Sequence, residues 1–404
     1  MAKGKSAAME APSNALRPKR FWGLFTRAAG FDMPFFVLLM LILVVGLVSL
    51  FSASYAYSYY QNDGDSYYYI KRQLIFAVLG VILMMLISLV DYHALHKLAL
   101  PVMGVSWILL ILVFFMPAVQ NVHRWIPLPG FNVQPSEIAK FAIILLFAHL
   151  ISLFNDEMKR FTKGYVPFML VLLGTCGLVF LEPHLSGTIL ILMIGMVMMF
   201  VGGTKARWLF LTVGIGALGV FVMVFVMGYE QDRIAVWWDP LAVYTSDILY
   251  EGGLTGRDVA WQTVQSLYAI GSGGFMGEGL GNSRQKHLFL PEPQNDFIFA
   301  IVCEELGFVG AVLIIILFAL LVWRGFIIGM KASDKFGSML AIGLTVQIGL
   351  QVILNLAVVT NSMPNTGISL PFFSYGGSSL VMLLMQMGVV LSVSRQAKLQ
   401  TDRG

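Results

Sequence analysis

Ten apolar runs, each near the length that crosses a hydrocarbon core, exclude a water-soluble domain for this chain. A bilayer interior offers no partner to a backbone N–H or C=O, so runs of this length must be helical. They must also pack together to hide whatever polar groups they carry. The runs lie near 33–55, 73–90, 98–118, 135–154, 164–181, 185–204, 207–228, 304–323, 336–359 and 373–394. With 58% hydrophobic and only 12% charged residues, the chain reads as an all-α, polytopic membrane protein with ten transmembrane helices in one membrane domain, 33–394.

An even number of spans puts both termini on one side. That side carries 18 of the 26 Lys and Arg, although the other owns the longest loop, so both termini are expected in the cytoplasm. Residues 1–32 then form a basic cytoplasmic tail and 395–404 a short cytoplasmic one. The first apolar run is too long for a signal-peptide core and has no evident cleavage site, so the start is expected to be kept. Cys176 and Cys303 lie in separate apolar runs and indicate no disulfide framework.

One large extracytoplasmic loop, 229–296, separates helices 7 and 8. It holds "RIAVWWDPL", the amphipathic "VAWQTVQSLYAIGSGG" and the glycine-dense "GGFMGEGLGNSRQKHLFLPEPQND". Trp237, Trp238 and Trp261 suit the headgroup layer. Arg284 and Lys286, in a turn-rich stretch, can offer charge and backbone donors to an anionic headgroup.

Several charges sit too deep to be ordinary surface residues. The fourth span reaches membrane length only by drawing in "QPSEIAK", and Glu137 and Lys140, three apart, then share a helix face and can pair. Such a pair can lock the helix, serve a site, or both. Asp296 tops the eighth span, either as its N-cap or as a functional carboxylate. On an unbroken helix Glu304 lies about 80° and Glu305 about 180° round from Asp296, so the two cannot face one site. Asp296, Glu137, Lys140, His123, Arg124, Arg233, Arg284 and Lys286 fall on one membrane side. Carboxylates beside cations at a lipid interface point to the handling of a phosphorylated lipid.

"QPSEIAK", "LGNSRQKHLFLPEPQNDFIFAIVCEELGFVGA" and "SLPFFSYGGSSL" together resemble the SEDS family (shape, elongation, division and sporulation), over about residues 35–395. "GLGNSRQKHLFLPE" is closer to its FtsW/SpoVE branch, for division and sporulation, than to the RodA branch, for elongation. The resemblance implies a peptidoglycan glycosyltransferase that polymerises lipid II at the outer face of the bacterial cytoplasmic membrane. It implies Asp296 of "DFIFA" as the essential carboxylate, Glu137 and Lys140 in the central cavity, and Trp125 of "HRWIPL" in the functional region. A cognate class B penicillin-binding protein, a transpeptidase, is the implied partner, with other division or sporulation membrane proteins. Two departures stand out: His184 in "PHLSGT" occupies a usual aspartate position, and Thr366 stands where some division-type members carry lysine.

The expected reaction joins a sugar 4-hydroxyl of one lipid II to the anomeric carbon of another and expels undecaprenyl pyrophosphate. Asp296 is the candidate general base, and a single base fits inverting displacement. Arg124, Trp125, Glu137, Lys140, Arg233, Arg284 and Lys286 are candidates for binding the pyrophosphate or sugar; Glu304, Glu305 and His184 are assigned to the cavity framework. Mg²⁺ or Mn²⁺ is compatible with pyrophosphate oxygens, though no motif demands a metal. Two other classes fit a ten-span chain with intramembrane charge: a lipid II flippase and a non-enzymatic division scaffold. No matching pair of interrupted segments announces an inverted repeat, and the dominant outer loop favours surface chemistry.

Overall fold

The computed structural model describes residues 30–117, 123–128, 131–182, 184–222, 228, 231–246, 250 and 254–397. The basic stretch 1–29, most of the C-terminal tail and parts of the long loop lie outside these residues. The chain runs α1 (Met33–Gln61), α2 (Tyr68–Leu89), α3 (Leu95–Leu112), β1 (Ile126–Leu128), β2 (Phe131–Val133), α4 (Pro135–Leu153), α5 (Val166–Leu181), α6 (Leu185–Val201) and α7 (Ala206–Phe221). It continues with α8 (Gln231–Trp238), α9 (Pro240–Tyr244), α10 (Gly256–Ser272), α11 (Ile298–Met330), α12 (Lys335–Val359) and α13 (Gly377–Gln396). Among the described residues, eight helices are long and apolar enough to cross a membrane, while α6 and α7 are apolar but shorter. The chain is therefore a mostly helical, multi-pass membrane protein.

Burial sorts the helices into layers. About seven-tenths of the apolar stretches of α4, α12 and α13 are buried, against 28% for α2, so α4, α12 and α13 form the centre. On α1 the exposed residues Val37, Leu41, Val44 and Val48 recur at helical spacing and form a stripe for lipid. Asp32 accepts from Phe35 N at 3.0 Å as the α1 cap and pairs with Arg324 of α11 at 2.7 Å. Its own N–H reaches Ser394 of α13 at 3.1 Å, which ties three helices at one end of the bundle.

Three features depart from the sequence reading. An antiparallel hairpin, Ile126 opposite Val133, interrupts the all-α plan before α4. The 229–296 region is largely built, with α8, α9 and α10, the last started by a capping box between Thr255 and Asp258. α11 begins earlier than the predicted eighth span, with Phe297 and not Asp296 at its cap position.

α11 is also broken. Gly307 sits at φ 66°, ψ −168°, a conformation that L-residues rarely adopt. The break frees the carbonyls of Glu304 and Glu305, which accept from Glu278 N and Gly279 N at 3.0 Å each. Beyond it, Phe308 N and Val309 N donate to Gly274 and Phe275 carbonyls at 2.9 and 3.2 Å. The turn 274–279 thus completes the backbone bonding that the helix gives up, as a buried backbone requires. Gly277, at φ 81°, lies so close to Gly307 that a side chain on either would strike the other strand. Gly307→Ala is therefore expected to cost about 1–3 kcal/mol of stability. The check is a lowered melting temperature with faster amide exchange at 276–279, while the amides of α4 keep their protection.

Candidate functional site

The site grows from two pinned loops that meet where α11 and α13 begin and α12 ends. Asn355, fully buried in α12, donates through Nδ2 to the Asp296 carbonyl at 2.8 Å and to the Ile368 carbonyl at 2.6 Å. Ser374 Oγ donates to the Asn295 carbonyl at 2.7 Å, and Tyr375 N to the Gln294 carbonyl at 2.8 Å. Asp296 is therefore held through its backbone and its two preceding residues, which leaves its carboxylate for other work. Oδ2 faces Gly367 (φ 70°), where an added Cβ would stand 3.1 Å away.

Asp296 also sits in an unusual electrostatic setting. Burial, with the Glu292 charge adding to it, pushes its carboxyl up to about 6, and Arg124 opposes the rise. Glu292 itself has positive φ (43°) and accepts from Asn295 Nδ2 at 2.7 Å. A carboxylate of this kind remains mostly ionised at neutral pH yet is far more basic than a solvated aspartate.

Arg124 joins Asp296 to the opposite wall. It precedes β1, donates through Nε to the Glu182 carbonyl at 3.2 Å, and acts electrostatically on Asp296, Glu182 and His184. Lys140 acts on His184 from the α4 side. The pair predicted from spacing is present: Lys140 Nζ donates to Glu137 Oε1 at 2.6 Å, with both side chains at least nine-tenths buried. Burial pushes Glu182 up to about 8 and, aided by the Arg124 and Lys140 charges, holds His184 down near 3. His184, at the position where the resemblance implies an aspartate, is thus neutral. Trp125 is half-buried beside Arg124. Arg233, exposed on α8, donates to the Asn365 carbonyl at 3.2 Å, two residues from Gly367.

The remaining cations belong to a second assembly, two turns further along α11. Lys286 is 3% exposed and bonds Glu305 Oε1 at 2.9 Å, Ser52 Oγ at 3.3 Å and the Gly281 carbonyl. Glu304 accepts from Ser283 Oγ and from Arg284 N at 2.9 Å. The two glutamates hold the glycine-dense turn against α11 and α1. The Arg284 side chain is exposed and lines a separate hollow of about 330 Å³ with Tyr268, Ser272 and Glu278. Asp296, Arg124, Glu137, Lys140 and His184 are thus brought together, while Arg284, Lys286, Glu304 and Glu305 form a different group.

Two residues of the site, Asn355 and Glu182, carry no motif that announces them. Asn355 lies near the end of an apolar run, and only its tertiary partners reveal it. Glu182 caps the end of α5, and both its carboxyl oxygens are buried without a hydrogen-bond partner among the described residues. A carboxylate between two apolar runs was the available clue. Among the described residues no group of three His, Cys, Asp or Glu could hold a metal ion.

A family model described as "Cell cycle protein" (FtsW/RodA/SpoVE) matches residues 32–399. The stage V sporulation protein E of Bacillus subtilis (strain 168) is 40% identical over 380 residues, covering 92% of this chain and 99% of that protein. A probable peptidoglycan glycosyltransferase FtsW of Geobacter sp. (strain M18) is 39% identical, with 92% and 99% covered. A solved structure described as structural coordination of polymerization and crosslinking by a peptidoglycan synthase complex aligns with TM-score 0.73 at 28% identity, covering 92% of this chain and all of that one. The rod shape determining protein RodA of Thermus thermophilus aligns with TM-score 0.67 at 27% identity, covering 92% and 99%.

The buried ion pair generates a stability prediction. Lys140→Ala leaves Glu137 buried beside no cation on its own helix and is expected to cost about 3–5 kcal/mol. Glu137→Lys combined with Lys140→Glu should restore most of the melting temperature measured in detergent. A Lys140→Ala protein that melts like the wild type would show that the pair does not hold α4.

Proposed function

The chain belongs to the FtsW/RodA/SpoVE family, and on that premise we propose that it is a peptidoglycan glycosyltransferase that polymerises lipid II. Supporting this reading are relatives named as peptidoglycan glycosyltransferases across nearly their whole length and a site that sets the raised carboxyl of Asp296 on the same side as Arg124 and Lys140. The observation that carries it is Asp296: backbone-pinned, half-buried and facing a glycine, with Arg124 acting on it electrostatically. We place the chain in the bacterial cytoplasmic membrane with ten spans, α6 and α7 completing the eight longer ones, both termini inside and Asp296 at the outer mouth. The Lys and Arg distribution supports this orientation.

In the proposed reaction Asp296 accepts the proton of the acceptor's sugar 4-hydroxyl as that oxygen attacks the donor's anomeric carbon. The bond to undecaprenyl pyrophosphate breaks on the opposite face, which inverts the anomeric configuration, and Asp296 then passes its proton to water. Such a base contributes about 10² to 10⁴ in rate, most effectively when its pKa lies near the working pH. Lys140 and Arg124 are the cations placed to stabilise charge developing on the leaving pyrophosphate. A divalent cation would be held mainly by the pyrophosphate's own oxygens, since the protein groups its carboxylates with cations. A class B penicillin-binding protein is the proposed partner, and the likeness to a chain from a peptidoglycan synthase complex supports it.

Asp296→Asn tests the base directly. The variant is expected to bind lipid II and make no glycan, alone or with the partner. Its stability has a sign as well: a carboxyl raised to about 6 from its ordinary value disfavours the folded state once ionised, a penalty relieved as pH falls through 6. Asp296→Asn should therefore melt at or above the wild-type temperature at pH 7.5, and the difference should close toward pH 4. Near wild-type polymerisation by Asp296→Asn would return the flippase and scaffold readings. Independently, wild-type kcat/KM should rise with pH through an ascending limb near 6. A flat profile between pH 5 and 7 would exclude a base of this pKa.

A further inference from the structure

Seven of the chain's fourteen tyrosines fall between residues 55 and 69, where α1 ends and α2 begins. They divide by direction. Tyr55 and Tyr59, 46% and 53% exposed, continue the lipid-facing stripe of α1 and read as interfacial anchors. Tyr57 points away from that stripe and joins Tyr69 of α2 at 6.1 Å between ring centroids, and Tyr69 meets Tyr375 edge-on at 4.8 Å. All three rings are half-exposed. Gln73, fully buried one turn below Tyr69, ties α2 to the same loop by donating to the Ser374 carbonyl at 3.3 Å and accepting from Gly376 N at 3.3 Å.

This wall adjoins the base. Tyr375 N bonds the Gln294 carbonyl, two residues before Asp296, and Glu292 acts electrostatically on both Tyr57 and Tyr69. Arg72 lies beside the Tyr375 hydroxyl with its guanidinium 4.3 Å over the Tyr68 ring. The surface therefore combines flat aromatic faces with a rim of hydroxyls, one guanidinium and one carboxylate. A prenyl chain offers that polar rim nothing to bond to, and a pyrophosphate would be repelled by Glu292. A pyranose fits both parts: its C–H face stacks on electron-rich rings while its hydroxyl and acetamide groups bond to the rim.

We propose that Tyr57, Tyr69 and Tyr375, with Arg72 and Glu292 at the rim, form a saccharide subsite that holds the acceptor sugar against Asp296. This rests on the glycosyltransferase reading above, and it assigns acceptor positioning to α1, α2 and the loop before α13. The pyrophosphate of the donor is left to the Arg124 and Lys140 side of the same mouth. The tyrosines act by stacking, so the ring matters more than the hydroxyl.

The test uses full-length protein in nanodiscs and two readouts. In the Asp296→Asn background, binding of a soluble tetrasaccharide of alternating N-acetylglucosamine and N-acetylmuramic acid is measured by calorimetry. Tyr69→Phe, which keeps the ring, should bind within about threefold of its parent, and Tyr69→Leu, which keeps apolar volume without a flat face, about tenfold more weakly. Tyr59→Leu on the lipid stripe should bind like the parent. With Asp296 intact, Tyr69→Leu should raise the KM for lipid II more than it lowers kcat. Arg72→Gln, which leaves the packed rings in place, should also weaken tetrasaccharide binding and decides the matter if Tyr69→Leu does not fold. Equal binding by parent, Tyr69→Leu and Arg72→Gln overturns the subsite. Failure of the underlying reading is distinct, because the unsubstituted protein would then make no glycan at all.

Discussion

The fold turns on one exchange of backbone hydrogen bonds, at the break in α11. A helix crossing a bilayer satisfies its own carbonyls, and a loop that must dock on it has nothing to bond to. Gly307 opens the helix, and the turn 274–279 takes the released carbonyls and amides. Glu304 and Glu305, side by side just before the break, then grip the following residues: one accepts from Ser283 and the Arg284 amide, the other from Lys286 and Ser52. The loop that carries Asp296 is thereby anchored at its start by α11 and at its end by Asn355, Ser374 and Tyr375. The two ends together leave Asp296 little freedom of position.

This anchoring divides the charges by task. Lys286 has the charge and place for binding an anionic headgroup, but its bonds to Glu305 and Ser52 hold the loop to the bundle. Removing any partner would leave charge in a dry setting, which is costly. The Asp296 side of the mouth is arranged differently. Its cations come from the hairpin entry and from α4, and its buried polar groups are incompletely bonded: among the described residues, Glu137 Oε2, both Glu182 oxygens and His184 Nδ1 have no hydrogen-bond partner.

Much of this was legible from sequence because it rests on local rules. Apolar run length gave the helices, and a spacing of three gave the Glu137–Lys140 pair. What stayed hidden depends on distant residues. "CEELGFVG" reads as unbroken helix, and only the backbone of 274–279, some thirty residues earlier, explains Gly307. Lys286 reads as a ligand-binding cation because Ser52, 234 positions away, is invisible as its partner. Asp296 carries the local signature of a helix cap, yet α11 starts after Phe297 and the carboxylate faces Gly367. Asn355 has no motif around it, and Glu182 adjoins "PHLSGT" without belonging to it, so only tertiary structure gives either a role.

The central claim is that Asp296 meets the acceptor hydroxyl while the cations of the opposite wall meet the pyrophosphate. A cryo-electron microscopy structure of the inactive Asp296→Asn protein with lipid II tests it most directly. The account predicts residue 296 within about 2.6–3.2 Å of a sugar 4-hydroxyl and a pyrophosphate against Arg124 and Lys140. A pyrophosphate seated instead in the hollow lined by Arg284 and Glu278, with no sugar near residue 296, would contradict it.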